Sequence, residues 1–169
     1  MKGRMKMSSS SDEDFGDDEP EVFGALICDL DNTLANCDHR IHHASAREWD
    51  EFHSKLMDDP VYEDVAMIIA NLPVNIKLIA VTGRNERYRQ LTLDWLAKNS
   101  LQFDEILMRP DGNYIPDHEL KPKMLIDFFD GDIELAKQQV ICILDDRDKV
   151  VSAYRELGFP CWQVRSEKY

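Results

Sequence analysis

Four short stretches of this 169-residue chain hold side chains that could do chemistry together. In Asp29-Leu30-Asp31-Asn32-Thr33 two carboxylates stand two residues apart behind an apolar run, a spacing that points both to the same side of an extended segment. Thr82-Gly83-Arg84 offers a hydroxyl, a backbone free to approach a ligand closely, and a guanidinium. Lys121 has Lys123 beside it, and Leu144 runs into a second acidic pair, Asp145 and Asp146. Acids from two segments can hold a divalent cation, because like charges gathered at one point repel unless a cation neutralises them. The threonine and lysine are then left to bind a phosphate. Taken alone, the first acidic pair reads equally well as a solvated turn, since Asp and Asn favour turns. Its weight comes from the other three stretches.

For these stretches to meet, the elements before them must end at one edge. Five apolar runs read as strands: Val22 to Leu30, Ile76 to Thr82, Phe103 to Met108, Val140 to Leu144 and Pro160 to Val164. Those starting at Ile76 and Val140 are almost wholly apolar, as strands covered on both faces should be. Between them lie helical patterns: Val61, Val65, Ile68 and Leu72; Tyr88, Leu91, Trp95 and Leu96; Met124, Leu125, Phe128 and Phe129; and Val150, Val151, Tyr154 and Leu157, the last closed by Gly158. Strands alternating with helices predict an α/β fold with a parallel five-stranded sheet and helices on both sides. In such sheets ligands bind beyond the carboxyl ends of the strands, where the acidic pairs and Thr82-Gly83-Arg84 fall. Residues 34–60 break the rhythm, with one helix expected from Ser45 to Met57 on Trp49, Phe52 and Leu56. An insertion of that length predicts a flap or small cap over the site.

Composition narrows the rest. Residues 1–21 hold seven acids and three bases with few large apolar side chains, which predicts a disordered acidic tail ahead of one domain over 22–169. The net charge of −13 argues against tight non-specific duplex binding, which needs many lysine and arginine contacts, but not against gripping a single chain end. No apolar run approaches the roughly 20 residues that span a bilayer, and Met1 to Ser11 does not read as a secretory signal. The expectation is a cytoplasmic protein with no membrane partner. Cys28, Cys37, Cys142 and Cys161 lack zinc-site spacing and read as reduced residues rather than a disulfide framework. His39, His42, His43 and His53 cluster in the insertion without a ligand motif, so a structural or solvent role is expected of them. Trp49, Phe52 and Trp162 are assigned to packing in preference to base stacking.

The four stretches resemble the motifs of the haloacid dehalogenase (HAD) superfamily of phosphohydrolases, in the right order and at strand ends, across nearly all of residues 23–164. Asn32 departs from the glycine more usual there, yet asparagine is the non-glycine residue that best tolerates a left-handed backbone. Within the superfamily the chain is most similar to the 3′-phosphatase domain of phage-type polynucleotide kinases. The features that carry this are Arg40, nine residues past Asp31, the Trp49-to-Pro60 stretch, Asp117 ahead of Lys121, and Cys161-Trp162-Gln163-Val164. The resemblance implies a three-layer, Rossmann-like fold. It implies Asp29 as nucleophile and Asp31 as general acid and base, with a pKa raised towards neutrality. It also implies Mg2+ held by Asp29, the Asp31 carbonyl and an acid from Asp145 and Asp146. Thr82, Gly83 and Lys121 would bind the phosphoryl group. Arg40 and Arg84 are expected to grip substrate phosphates, with surface ion pairs as their alternative, and Asp117 to orient Lys121 or Arg84.

The activity so implied is Mg2+-dependent removal of terminal 3′-phosphates from DNA or RNA, as in end repair. Free nucleotides or phosphoproteins as substrates, or an inactive module that only holds nucleic-acid ends, are the alternatives. No Gly-x-x-x-x-Gly-Lys-Ser/Thr phosphate loop is present, so no 5′-kinase activity is expected of the chain.

Overall fold

The computed structural model describes residues 24–165; the segment expected to be a disordered tail, 1–21, lies outside them. Five parallel strands, β1 (Gly24–Cys28), β2 (Ile76–Asn85), β3 (Glu105–Arg109), β4 (Val140–Asp145) and β5 (Cys161–Gln163), form one sheet in the order β3-β2-β1-β4-β5. The chain moves outward from β1 to β2 and β3, then crosses back to lay β4 on the other side of β1. Beyond the carboxyl ends of strands, such a reversal opens a crevice.

Alternation along each strand divides the core. Leu26 and Cys28 of β1, Leu78 and Ala80 of β2, and Cys142 and Leu144 of β4 face Val65 and Ile69 of α3 (Glu63–Ala70) and Trp95 and Leu96 of α4 (Arg89–Lys98). On the opposite face Ala25, Ile27, Ile79, Val81 and Ile143 meet Leu125 of α5 (Asp117–Phe128), Ala136 of α6 (Ile133–Gln139), and Val150, Val151 and Tyr154 of α7 (Asp148–Glu156). The expected three-layer α/β/α arrangement is the observed one. Both faces of the sheet are buried, which is why the strands read as continuous apolar runs. All four cysteines are buried free thiols, Cys28, Cys142 and Cys161 in the core where their apolar runs placed them.

Two local expectations need correcting, and one helix is not anticipated. The single helix expected from Ser45 to Met57 is instead α1 (Ile41–Ser45) and α2 (Trp49–Ser54), flanked by 3-10 turns at Asp38–Arg40 and Leu56–Asp58. Arg47, at φ 61, takes a left-handed conformation between α1 and α2 and ends any continuous helix. The insertion has a small core of its own, Cys37, Ala44 and Phe52. Secondly, α5 starts at Asp117, not near Met124, so Lys121 lies on the helix rather than ahead of it. Lys121 precedes Pro122, a position biased against helix, but its side chain is held by two ion pairs described below. The remaining helix, α6, carries no expectation from the sequence pattern; Asp132 caps it by accepting from the Glu134 and Leu135 amides.

Candidate active site

The strand ends deliver the side chains. Past β1 the Asp29 amide still donates to the Leu144 carbonyl at 2.9 Å, after which the chain turns tightly, Leu34 and Ala35 both donating to the Leu30 carbonyl. Asn32 makes that turn at φ 62, in the left-handed region, and its amide donates to Asp146 Oδ2 at 2.6 Å. Glycine could make the turn but not the bond, so the asparagine both shapes the loop and steers an acid.

Asp29, Asp145 and Asp146 are buried, with carboxylate oxygens within 4.8 Å of one another. Lys121 Nζ donates to Asp29 Oδ1 at 2.6 Å and to Asp145 Oδ2 at 2.7 Å. One ammonium thus faces three carboxylates. Burial, with Asp145 and Asp146 adding to it, pushes Asp29 well above the usual carboxylate range, against the pull of Lys121. Burial likewise pushes Asp146 up to about 6. Asp146 Oδ1 is buried without a hydrogen-bond partner. Hard oxygen donors, an excess of negative charge and an orphaned carboxylate oxygen fit a small divalent cation such as Mg2+.

Asp31 has a different environment. Arg84 takes it in a fork, Nε to Oδ2 at 3.0 Å and Nη2 to Oδ1 at 2.8 Å, and Arg40 Nη2 joins from the insertion. Both arginine side chains are fully buried. Arg40 also donates through Nε to Asp59 Oδ1 at 2.7 Å and through Nη1 to the Phe52 carbonyl at 3.1 Å, and it lies over the Phe52 ring. Asp59 accepts from His39 as well. Arg40 and Arg84, expected to grip substrate phosphates, engage protein groups in this structure: Arg40 the Asp31 and Asp59 carboxylates and the Phe52 carbonyl, Arg84 the Asp31 carboxylate and the Thr92 hydroxyl. The expected upward shift of Asp31 is corrected. Burial pushes its carboxyl up, but the Arg84 and Arg40 guanidiniums outweigh that and hold it well below the usual carboxylate range in the free protein.

Thr82 is buried in β2, its hydroxyl accepting from the Arg84 amide at 3.2 Å. Register with β3 shifts between Thr82 and Asn85, where Gly83 enters the cavity wall and Arg84 turns inward, fully buried. Gly83 meets α5 there. A Cβ on it would stand 2.8 Å from Asp117 Oδ1 and 2.9 Å from Oδ2. Asp117 does not pair with Lys121 or Arg84; it binds Arg109 and, at 2.5 Å, Arg147 Nη1.

A cavity of about 480 Å³ opens above these groups, with Asp29, Asp31 and Lys121 in its lining. Arg87, Arg109, Arg147 and Lys149 make its walls basic although the chain as a whole is acidic. Trp49 and Tyr114, 49% and 91% exposed, also line it. His53 lines the cavity from α2, 6% exposed, edge-on to the Phe52 ring and tilted against that of Tyr88. Burial lowers its pKa to about 4; Asp31 opposes the shift, and Arg84 and Arg40 add to it. The sequence reading singled out neither Arg109 nor Asp59, and it discounted His53. Arg109 had a usable signal, since it ends β3 as Asp145 ends β4. Asp59 and His53 had none, because the folding of the insertion decides where they point.

No curated protein matches the chain. Among solved structures, chains of the Pnkp1/Rnl/Hen1 complex and of the Pnkp1/Rnl/Hen1 RNA repair complex are 30% and 31% identical to it, each with a TM-score of 0.72. They cover 89% and 88% of this chain, which spans 48% and 44% of theirs. A putative phosphatase from Clostridium difficile, 14% identical over 83% of this chain and 84% of its own, shares the fold at a TM-score of 0.59. The family model of the polynucleotide kinase PNKP phosphatase domain matches residues 24–169. Motifs, fold and clustered acids agree with that match: the chain belongs to the PNKP phosphatase-domain family and is a phosphatase of the HAD superfamily.

Proposed function

We propose that the chain is a Mg2+-dependent polynucleotide 3′-phosphatase working through an aspartyl-phosphate on Asp29. The observation that carries this is the meeting of Asp29, Asp145, Asp146 and Lys121 at a basic cavity. Mg2+, held by Asp29, the Asp31 carbonyl and an acid from Asp145 and Asp146, would offset the repulsion between an anionic nucleophile and an anionic phosphate.

The residues then divide the work. An Asp29 oxygen attacks phosphorus, the bond from phosphorus to the sugar oxygen breaks, and Asp31 gives that oxygen a proton. A water next loses its proton to Asp31 and attacks the same phosphorus; the bond to Asp29 breaks and inorganic phosphate leaves. Asp31 must therefore gain a proton before the first step. Arg40 and Arg84 hold it ionised in the free protein, and a phosphate dianion seated beside it shifts the balance towards the protonated form. Lys121 and Thr82 stabilise the equatorial oxygens during transfer.

Arg109 and Arg147, paired on Asp117 at the cavity wall, suit a phosphodiester upstream of the reacting end. The family supports a polynucleotide substrate, as does the RNA repair complex named for the similar chains. A panel measuring phosphate release with and without Mg2+ tests the reading, using 3′-phosphorylated RNA and DNA, mononucleotides, a phosphopeptide and an aryl phosphate. The oligonucleotides should be turned over at least tenfold better than mononucleotides, and only with Mg2+. A tenfold preference for mononucleotides overturns the polynucleotide assignment. Asp29→Asn should abolish turnover of every substrate, and a variant within tenfold of the parent rate overturns the nucleophile assignment.

A further inference from the structure

His53 is unusual among the cavity residues. Its Nδ1 is buried without a hydrogen-bond partner, though the residue is only 6% exposed and lines the cavity that holds Asp29 and Asp31. Its ring packs 5.3 Å from the Phe52 ring and 4.6 Å from the Tyr88 ring. Phenylalanine would fill that slot without burying an unpartnered nitrogen. Buried polar groups are nearly always paired, so an imidazole in the cavity wall that has no hydrogen bond at its buried nitrogen is suited to a ligand that pairs the ring. Phosphate is poorly suited to be that ligand, because Asp29, Lys121 and the acids around them already define where the phosphoryl group sits. His53 instead lines the same cavity as Asp31, on the side of the insertion. Asp31 serves the leaving oxygen, so its neighbour faces the leaving sugar. In a ribonucleotide 3′-phosphate the hydroxyl next to that oxygen both donates and accepts, as an imidazole does.

We propose that His53 reads the sugar of the leaving group by hydrogen-bonding the hydroxyl vicinal to the scissile oxygen, favouring ribonucleotide over deoxyribonucleotide 3′-phosphates. The inference rests on the 3′-phosphatase reading and adds a specificity-determining residue to it. The partner hydroxyl is absent from DNA, so the imidazole gains no such bond when a deoxyribose end binds.

The test compares kcat/KM for a 3′-phosphorylated RNA oligonucleotide with the same oligonucleotide carrying one 2′-deoxy sugar at its 3′ end. Ribonucleoside and deoxyribonucleoside 3′-monophosphates form a second pair. The wild-type protein should favour the ribose member about tenfold, the scale of one hydrogen bond. In His53→Phe the ratio should fall to near one, and His53→Gln, which keeps a polar group, should retain part of it. A ratio within one variant is unaffected by the fraction of protein that folds. Equal rates for the two sugars in the wild type overturn the proposal whatever the variants do, as does an unchanged ratio in His53→Phe. Should mononucleotides outrun oligonucleotides, the polynucleotide reading falls alone, and the monophosphate pair still judges His53.

Discussion

Asp31 shows how one residue's chemistry is set by neighbours far away in sequence. It stands two positions from Asp29 in the same short motif, yet Asp29 answers to Lys121 whereas Asp31 answers to Arg84 and Arg40. Separate surroundings let two similar carboxylates take separate roles. The arginines in turn depend on Asp59, fully buried, which takes most of Arg40's fork. Four charges, two of each sign, form one cluster, with Arg40, Arg84 and Asp59 buried and Asp31 12% exposed at its side chain. Removing a single partner leaves an uncompensated charge, a loss that typically costs about 3–5 kcal/mol. Arg40→Ala should therefore lower stability by about that amount in urea titration, and Arg40→Lys should recover little, because an ammonium cannot reach Asp31, Asp59 and the Phe52 carbonyl together. A loss under about 1 kcal/mol, the range of an exposed pair, would mean that Arg40 is a surface residue after all.

At the level of elements, activity depends on how closely β2 approaches α5. Gly83 sits where a Cβ would collide with both oxygens of Asp117. Asp117 cannot give way freely, since Arg109 from β3 and Arg147 from the loop after β4 both hold it. Gly83→Ala should push α5 from the sheet, move the two arginines and disturb Lys121 one turn along. The expected result is a loss of about 1–3 kcal/mol in stability, typical of overpacking, with kcat/KM on an oligonucleotide down at least tenfold. Kinetics unchanged within twofold would show that the contact carries no functional load. The same apposition explains what the sequence could reveal. Apolar strands ending in Asp29, Thr82 and Asp145 were legible because a sheet covered on both faces leaves continuous runs, and motifs at their ends share an edge by topology. The start of α5 was hidden by Pro122, which looks like a boundary, although the ion pairs of Lys121 hold the helix through it. In the insertion Trp49 and Phe52 suggested one helix; the left-handed Arg47 breaks it, and so the roles of Arg40, His53 and Asp59 were out of reach.

For the whole molecule the question is how a chain of net charge −13 buries three of its acids at one point. Lys121 balances only part of that charge, so the folded protein should bind a divalent cation and be stabilised by it, by about 2.7 kcal/mol when the free ion is at 100 times Kd. The pH dependence follows from the same acids. Asp146 is raised to about 6 in the fold, above the value near 3.8 for a free carboxyl, so the metal-free folded state takes up a proton as pH falls through about 6. Protonation relieves the crowding, which makes this group's contribution to metal-free stability rise with acid. Mg2+ needs the carboxylate, so it must displace that proton, and its affinity should weaken about tenfold per pH unit below 6 for each proton displaced. His53 acts in the opposite sense: its folded pKa near 4 lies below the usual 6.5, so the unfolded chain takes the proton first and stability falls between those values with or without metal. Subtracting melting curves recorded with and without Mg2+ removes the histidine and isolates the acids. The rise in Tm on adding MgCl2 should be full at pH 7.5 and fade as pH falls below 6, while KCl of equal ionic strength should not reproduce it. A Mg2+ shift just as large at pH 5 would mean that Asp146 does not ligate the metal.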